Sequence, residues 1–94
     1  MTRVIAGSAR GRRLAVPGVG TRPTADRVRE AVFNILAHGV TGFSLQDARV
    51  LDLFAGTGAL GLEAISRGAR FCQFVDDSAE ARGLIRQNAD ALGV

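Results

Sequence analysis

Apolar and polar positions in the first twenty residues predict a short antiparallel hairpin. Residues 3–7 and 12–16 carry apolar and β-branched side chains, and they flank a short segment that contains Gly11. The Pro-Gly-Val-Gly run at 17–20 interrupts both patterns and predicts a linker. We therefore expect residues 1–21, called the arm below, to form a hairpin and a linker ahead of a domain at 22–94.

A helical period follows the linker. Pro23 is tolerated in a first helical turn, and Gly39 is a plausible stop, so the pattern predicts a helix between them. Apolar residues recur there at spacings of four, seven and eight positions. The residues predicted to face the core are Val28, Val32, Ile35 and Leu36.

The second half of the chain alternates strand and helix patterns. The apolar run 50–54 predicts a strand buried on both faces, and residues 71–75 predict a second strand whose Phe71, Cys72 and Phe74 belong to the core. Helices are predicted from about Ala59 and after Asp77, the expected N-cap of the last helix. The order strand, glycine turn, helix, strand, helix predicts an α/β fold with a βαβ unit.

Composition narrows the class of protein. Ninety-four residues with 47% apolar content describe one domain. No apolar run approaches the roughly 20 residues of a membrane-spanning helix, and no signal-peptide pattern opens the chain, so we expect a cytoplasmic protein without a membrane partner. The single cysteine, Cys72, predicts neither a disulfide nor a metal cluster.

Charge is concentrated at the N-terminus. All twelve basic residues are arginine, and five of them precede the first acidic residue, Asp26. Guanidinium groups suit phosphates and stack on bases, so these five are candidate RNA contacts, although a solvated basic surface is an open alternative. The five are Arg3, Arg10, Arg12, Arg13 and Arg22.

A glycine turn with two carboxylates carries the candidate chemistry. The spacing Gly56-x-Gly58-x-x-Gly61 follows a strand and opens a helix, which is typical of nucleotide-binding folds. Asp76 ends the next strand, where it can accept the hydroxyls of a ribose, unless it is only a helix N-cap. Asp52 precedes Gly56 by four residues. A carboxylate there disfavours a pyrophosphate and favours a sulfonium cofactor whose ammonium it can pair, unless it only caps the turn.

Three segments resemble one known family. The sequence Asp-Leu-Phe-Ala-Gly-Thr-Gly-Ala-Leu-Gly at 52–61, with its continuation to residue 69, resembles motif I of the bacterial 16S rRNA guanine-N2 methyltransferases. Residues 22–34 are similar to a second signature of that family. The opening at 3–7, with Gly-Arg-Arg-Leu at 11–14, resembles its N-terminal hairpin.

The resemblance implies a Rossmann-like class I methyltransferase fold of seven strands. It also implies S-adenosyl-L-methionine as methyl donor and a guanine of 16S rRNA, free or in the small ribosomal subunit, as acceptor. The implied cofactor contacts are Asp52, Phe54, Ala55, Gly56, Gly58 and Gly61 at the turn, and Asp76 or Asp77 at the ribose. The family usually has a glutamate where this chain has Asp76.

The chain departs from the family at its C-terminal end. The catalytic tetrapeptide Asp/Asn-Pro-Pro-Phe/Tyr is missing, so we expect only the first βαβα part of the sheet, no catalytic residue, and no activity from these 94 residues alone. Open sheet edges predict self-association. Two alternatives stay open: the nucleotide-binding domain of an NAD-dependent oxidoreductase, which Asp52 argues against, and a non-catalytic RNA-binding module.

Overall fold

A computed structural model describes residues 2–16, 26–53 and 55–94. Four predictions lie outside these residues: the linker at 17–20, the roles of Arg22 and Phe54, and the start of the first helix at Pro23. The elements in chain order are β1 (Thr2–Arg3), β2 (Arg13–Leu14), α1 (Asp26–His38), β3 (Arg49–Leu53), α2 (Ala59–Ser66), β4 (Phe71–Val75) and α3 (Ala79–Leu92).

The N-terminal hairpin is present, with shorter strands than predicted. β1 and β2 are antiparallel, and Thr2 lies opposite Leu14. Beyond Val4, whose N–H donates to the Arg12 carbonyl at 2.9 Å, the first strand leaves the ladder. The N–H groups of Ile5 and Ala6 instead donate to a carboxylate on α2. The segment that follows β1 is therefore held against α2 by hydrogen bonds.

Three of the four residues predicted to form the core face of α1 are exposed, whereas Leu36 is partly buried beside the Phe33 cluster. Val28 and Ile35 are 53% and 61% exposed, whereas Phe33 is 3% exposed and Arg29 is fully buried. Arg29 and Phe33 are four residues apart and share a helix face, which packs against α2. The helix is rotated in this way because the Arg29 guanidinium lies beside a buried carboxylate of α2.

The βαβ unit is confirmed, but among the described residues only one face of its sheet is covered. β3 and β4 are parallel, with Asp52 opposite Phe74. Helix α2 covers the face that carries Asp52 and Phe74. On the other face Leu51 and Phe71 are 61% and 45% exposed. The expectations that β3 is buried on both faces and that Phe71 belongs to the core are therefore wrong for this chain.

The start of α3 differs from the prediction by one residue. Ser78, and not Asp77, is the N-cap, and its Oγ accepts a hydrogen bond from the N–H of Ala81 at 3.3 Å. The helix is closed at its C-terminal end by Gly93, which has a left-handed φ of 76°.

Helix α2 lies at the centre of the packing. One apolar cluster joins it to the hairpin through Val4, Leu14 and Leu62, and another joins it to α1 through Phe33 and Ala64. Within the ranges that the structure describes, no helix has the length and apolar character needed to cross a membrane. The architecture is a partial Rossmann-like α/β fold preceded by an antiparallel hairpin.

Candidate functional site

The glycine turn lies at the carboxyl ends of the two parallel strands, where open α/β sheets bind ligands. Gly56 and Gly58 have φ values of 59° and 82°, a left-handed region that favours glycine. The turn is closed by a hydrogen bond from the N–H of Gly58 to the carbonyl of Ala55 at 2.8 Å. A β-carbon on Gly56 would meet no atom within 4 Å, so this side of the turn is open to a ligand.

Gly61 has a different task from the other two glycines. A β-carbon there would lie 2.4 Å from Cε1 of Phe74 and 2.5 Å from Sγ of Cys72. Gly61 therefore allows α2 to approach β4 closely. Its predicted contact with the cofactor stays a prediction.

Asp52 lies under the turn and is 7% exposed. Its Oδ2 accepts a hydrogen bond from the N–H of Gly61, in the first turn of α2, at 3.0 Å. Burial raises the pKa of Asp52; the hydrogen bond from Gly61 opposes this, and the charge of Asp76 adds to it. The hydrogen bond from Gly61 shows that Asp52 caps a backbone N–H of the first turn of α2. Pairing of Asp52 with the ammonium group of a ligand stays a prediction.

Asp76 holds the other side of the turn. Its Oδ2 accepts the N–H of Gly56 at 3.0 Å, and its Oδ1 accepts the N–H of Ser78 at 2.9 Å. These backbone bonds, that of Ser78 first, hold the pKa of Asp76 below its ordinary value. An ionised carboxylate has about four acceptor positions, so two are left for a ribose. Asp77 is exposed and lies two positions after the end of β4.

A cleft of about 180 Å³ opens beside Asp76. A pyrophosphate in it would meet two carboxylates, Asp76 and Glu80, whereas a nucleoside without phosphate could pack its apolar part on Leu84. The lining of the cleft is therefore unfavourable for a phosphate group beside Asp76. Its lining residues are Gly56, Thr57, Asp76, Ser78, Glu80, Ala81 and Leu84.

The arginines of the arm lie on its surface. Arg3, Arg10, Arg12 and Arg13 are all exposed. Arg12 also has an intramolecular partner, since its Nη1 donates to the carbonyl of Ala91 in the last turn of α3 at 3.3 Å. Among the described residues, no group of three or more His, Cys, Asp or Glu side chains could hold a metal ion.

Two buried polar residues that join the arm to the rest of the domain escaped the sequence analysis. Glu63 is fully buried on α2 and accepts the N–H groups of Ile5 and Ala6 at 2.9 and 3.0 Å. Asn88 is 1% exposed on α3 and contacts Ala15. Each had a signal: Glu63 interrupts an apolar helix, and Asn88 lies seven residues after the inward Ala81.

Known proteins resemble the chain in sequence and in fold. The family model described as conserved hypothetical protein 95 matches residues 2–94. Ribosomal RNA small subunit methyltransferase D of Escherichia coli strain K12 is 49% identical over 89 residues, covering 93% of this chain and 42% of that protein. A Bacillus subtilis strain 168 protein, provisionally named as an rRNA methyltransferase, is 47% identical over 91 residues, covering 96% of this chain and 47% of its own.

A solved structure supports the same assignment. A hypothetical protein of Thermus thermophilus is 37% identical and has a TM-score of 0.82, with 100% of this chain and 52% of that chain covered. The chain spans about half the length of the curated relatives it matches. With its glycine turn, parallel strand pair and N-terminal hairpin, the chain belongs to the conserved hypothetical protein 95 family and is a relative of ribosomal RNA small subunit methyltransferase D.

Proposed function

We propose that the protein to which this chain belongs transfers a methyl group from S-adenosylmethionine to the exocyclic N2 amine of a guanine in 16S rRNA. One observation carries the proposal: an open glycine turn faces a ribose-compatible carboxylate, Asp76, in a chain 49% identical to an rRNA small subunit methyltransferase. The substrate is 16S rRNA or the small ribosomal subunit, and the expected compartment is therefore the cytoplasm.

The residues of this chain bind and orient the cofactor in the proposed reaction. Gly56 lets the ligand approach the turn, and Gly58 supplies the left-handed backbone conformation that the turn requires. Asp76 accepts hydrogen bonds from the ribose hydroxyls, and Asp52 pairs the ammonium. The bound cofactor supplies the reactive methyl group, and a direct displacement needs mainly positioning. The remaining proposed contacts at this site are Phe54, Ala55, Gly61 and Asp77.

The arm binds rRNA phosphates in this proposal. Four exposed arginines on the hairpin form a basic surface. Because hydrogen bonds hold the hairpin on α2, which also carries the glycine turn, the position of this surface relative to the turn is fixed. The proposed RNA contacts are Arg3, Arg10, Arg12, Arg13 and, outside the described residues, Arg22. A non-catalytic RNA-binding module would use the same surface, and a methyl-transfer assay on the protein from its complete reading frame separates the two functions.

The substitution Asp52→Asn tests the cofactor assignment. The amide oxygen can still accept the N–H of Gly61, but the charge is lost. If Asp52 pairs the ammonium, calorimetry should show S-adenosylmethionine binding weakened by about 10-fold to 150-fold, the equivalent of about 1.5–3 kcal/mol. Stability should not fall, because burial already disfavours the ionised form of Asp52.

Asp90, exposed on α3 and outside the lining of the cleft, gives the matched control, and Asp90→Asn should leave the affinity unchanged. Unchanged binding in Asp52→Asn would reduce Asp52 to a cap of α2. Tight NAD binding without S-adenosylmethionine binding would overturn the proposed function in favour of an oxidoreductase.

For the 94 residues alone we propose no methyl transfer and self-association through the open sheet. Leu51, Leu53 and Phe71 form an exposed apolar surface on β3 and β4. Sedimentation of residues 1–94 should show dimers or larger species, and a monomer at high concentration would contradict this proposal.

A further inference from the structure

One buried side chain touches both the arm and the cofactor turn. Oδ1 of Asn88 accepts the N–H of Ala15 at 2.6 Å, and Nδ2 donates to the Ala15 carbonyl at 3.0 Å. The same Nδ2 donates its second hydrogen to the carbonyl of Thr57 at 2.9 Å. Both donor positions of the amide are thus used, on partners 73 and 31 residues away in sequence.

The contact with Thr57 bears on the geometry of the turn. The carbonyl of Thr57 and the N–H of Gly58 belong to one planar trans peptide and point in opposite directions. Asn88 holds the carbonyl, and the Ala55 carbonyl accepts the Gly58 N–H at 2.8 Å. The peptide plane is therefore fixed from both ends, beside a glycine in a left-handed conformation.

We infer that Asn88 is a positioning residue that holds the Thr57–Gly58 peptide of the cofactor turn in register with the arginine-bearing arm. The inference rests on the proposed function, because it assigns the turn to the cofactor and the arm to RNA. In this role Asn88 sets the place of the methyl donor relative to the RNA that the arm binds. It does not touch the reacting atoms.

The chemistry of the site requires an amide of this length. The side chain meets one N–H donor and two carbonyl acceptors at once. An aspartate could serve the N–H of Ala15, but it would present oxygen to the carbonyls of Ala15 and Thr57. An alanine would leave all three backbone groups without this partner in a position that is 1% exposed.

Ser66, the last residue of α2, provides a matched control because it bonds to the same arm. Its Oγ donates to the carbonyl of Ala6 at 2.7 Å and accepts the N–H of Ala9 at 2.9 Å. It is nearly as deeply buried as Asn88, at 5% exposure, but its hydrogen bonds reach the arm and not the glycine turn. Ser66→Ala therefore loosens the arm without altering the Thr57 carbonyl.

The experiment compares Asn88→Asp and Ser66→Ala in the protein from its complete reading frame. Calorimetry measures the affinity for S-adenosylhomocysteine, the demethylated product, and steady-state assays with rRNA give kcat and KM. Asn88→Asp should weaken the nucleoside by about tenfold and lower kcat at saturating cofactor. Ser66→Ala should keep the nucleoside affinity within about twofold and raise the KM for rRNA.

Hydrogen exchange in the wild-type protein gives a second readout that needs no folded variant. Binding of S-adenosylhomocysteine should slow exchange of the Ala15 N–H, which is linked to the turn through Asn88, and leave the Ala9 N–H unchanged. Unchanged exchange at Ala15, or wild-type affinity in Asn88→Asp, overturns the inference while the proposed function stands. A wild-type protein that does not bind the nucleoside overturns both.

Discussion

Replacement of Glu63 by glutamine should destabilise the protein severely, although the two side chains have the same shape. The carboxylate is fully buried on α2. Its Oε1 accepts the N–H of Ile5, and its Oε2 accepts the N–H of Ala6 and the Nε of Arg67 at 2.9 Å. Every one of these partners is a donor. An amide can offer only one acceptor oxygen, so in either orientation its NH₂ group faces at least one donor.

The magnitude follows from the charges that surround Glu63. In its better orientation the amide oxygen still serves Ala6 and Arg67, but the N–H of Ile5 is lost and the negative charge disappears. Arg29, fully buried, lies 3.9 Å from Oε1 and would lose this carboxylate while keeping its salt bridge to the partly exposed Asp26. Removal of one partner of a buried ion pair costs about 3–5 kcal/mol of stability. That is a large part of the roughly 5–15 kcal/mol that stabilises a typical folded protein.

Urea unfolding of the protein from its complete reading frame measures this cost. With a slope of about 1–3 kcal/mol per molar urea, the midpoint should fall by about 2 M for Glu63→Gln. Glu30, exposed on α1, is the matched control, and Glu30→Gln should change stability by no more than about 0.5 kcal/mol. A loss below about 1 kcal/mol in Glu63→Gln would show that the arm is not anchored through this carboxylate.

Three other predictions follow from local geometry. Gly61→Ala places a β-carbon 2.4 Å from Cε1 of Phe74 and should cost about 1–3 kcal/mol in thermal unfolding. Gly83→Ala, on the open surface of α3, should stabilise the protein by about 0.5–1 kcal/mol. Equal effects of Gly61→Ala and Gly83→Ala on stability would contradict the packing assigned to Gly61. Because the pKa of Asp76 is lowered on folding, its contribution to stability is present above the ordinary value of 3.8 and is lost as pH falls below it. Acid unfolding of Asp76→Asn should therefore depend less steeply on pH in that range than the wild type. A triple arginine-to-glutamine variant of the arm should lower the slope of log affinity for rRNA against log salt concentration by about 0.7–0.9 per lost phosphate contact. Its cofactor affinity should not change. An unaltered slope in filter binding would mean that the arm is only a solvated surface. The triple variant changes Arg10, Arg12 and Arg13.

The elements that could be predicted from the sequence are those whose signals are local. The glycine turn, the helix after it and the parallel strands each depend on a few neighbouring residues, and the structure contains all of them. Burial is different, because it depends on what covers a residue. The apolar run of β3 predicts burial on both faces, yet Leu51 and Leu53 are exposed because α2 covers only the other face of the sheet.

The error on α1 has a more specific cause. A count of apolar positions selects Val28, Val32 and Ile35 as the inward face, since it assigns every charged residue to solvent. Arg29 occupies the buried face because Glu63, 34 residues further along the chain, brings a compensating charge to it. Such a pair cannot be found from either residue's neighbours. A buried charge is tolerated only when its partner is present, and the partner here belongs to a different helix.

The same reasoning applies to the arm, whose position matters most for the proposed reaction. Apolar contacts of Val4 and Leu14 bring the hairpin to α2, but burial of apolar surface has no preferred direction. Hydrogen bonds do have one, so Glu63 and Asn88 determine where the arm lies along α2 and α3. Their partners in the arm are 58 and 73 residues away in sequence. The arginines from which we propose RNA binding can therefore be found in the sequence. Their placement relative to the glycine turn depends on Glu63 and Asn88, two buried polar side chains that contact the arm only in the folded structure.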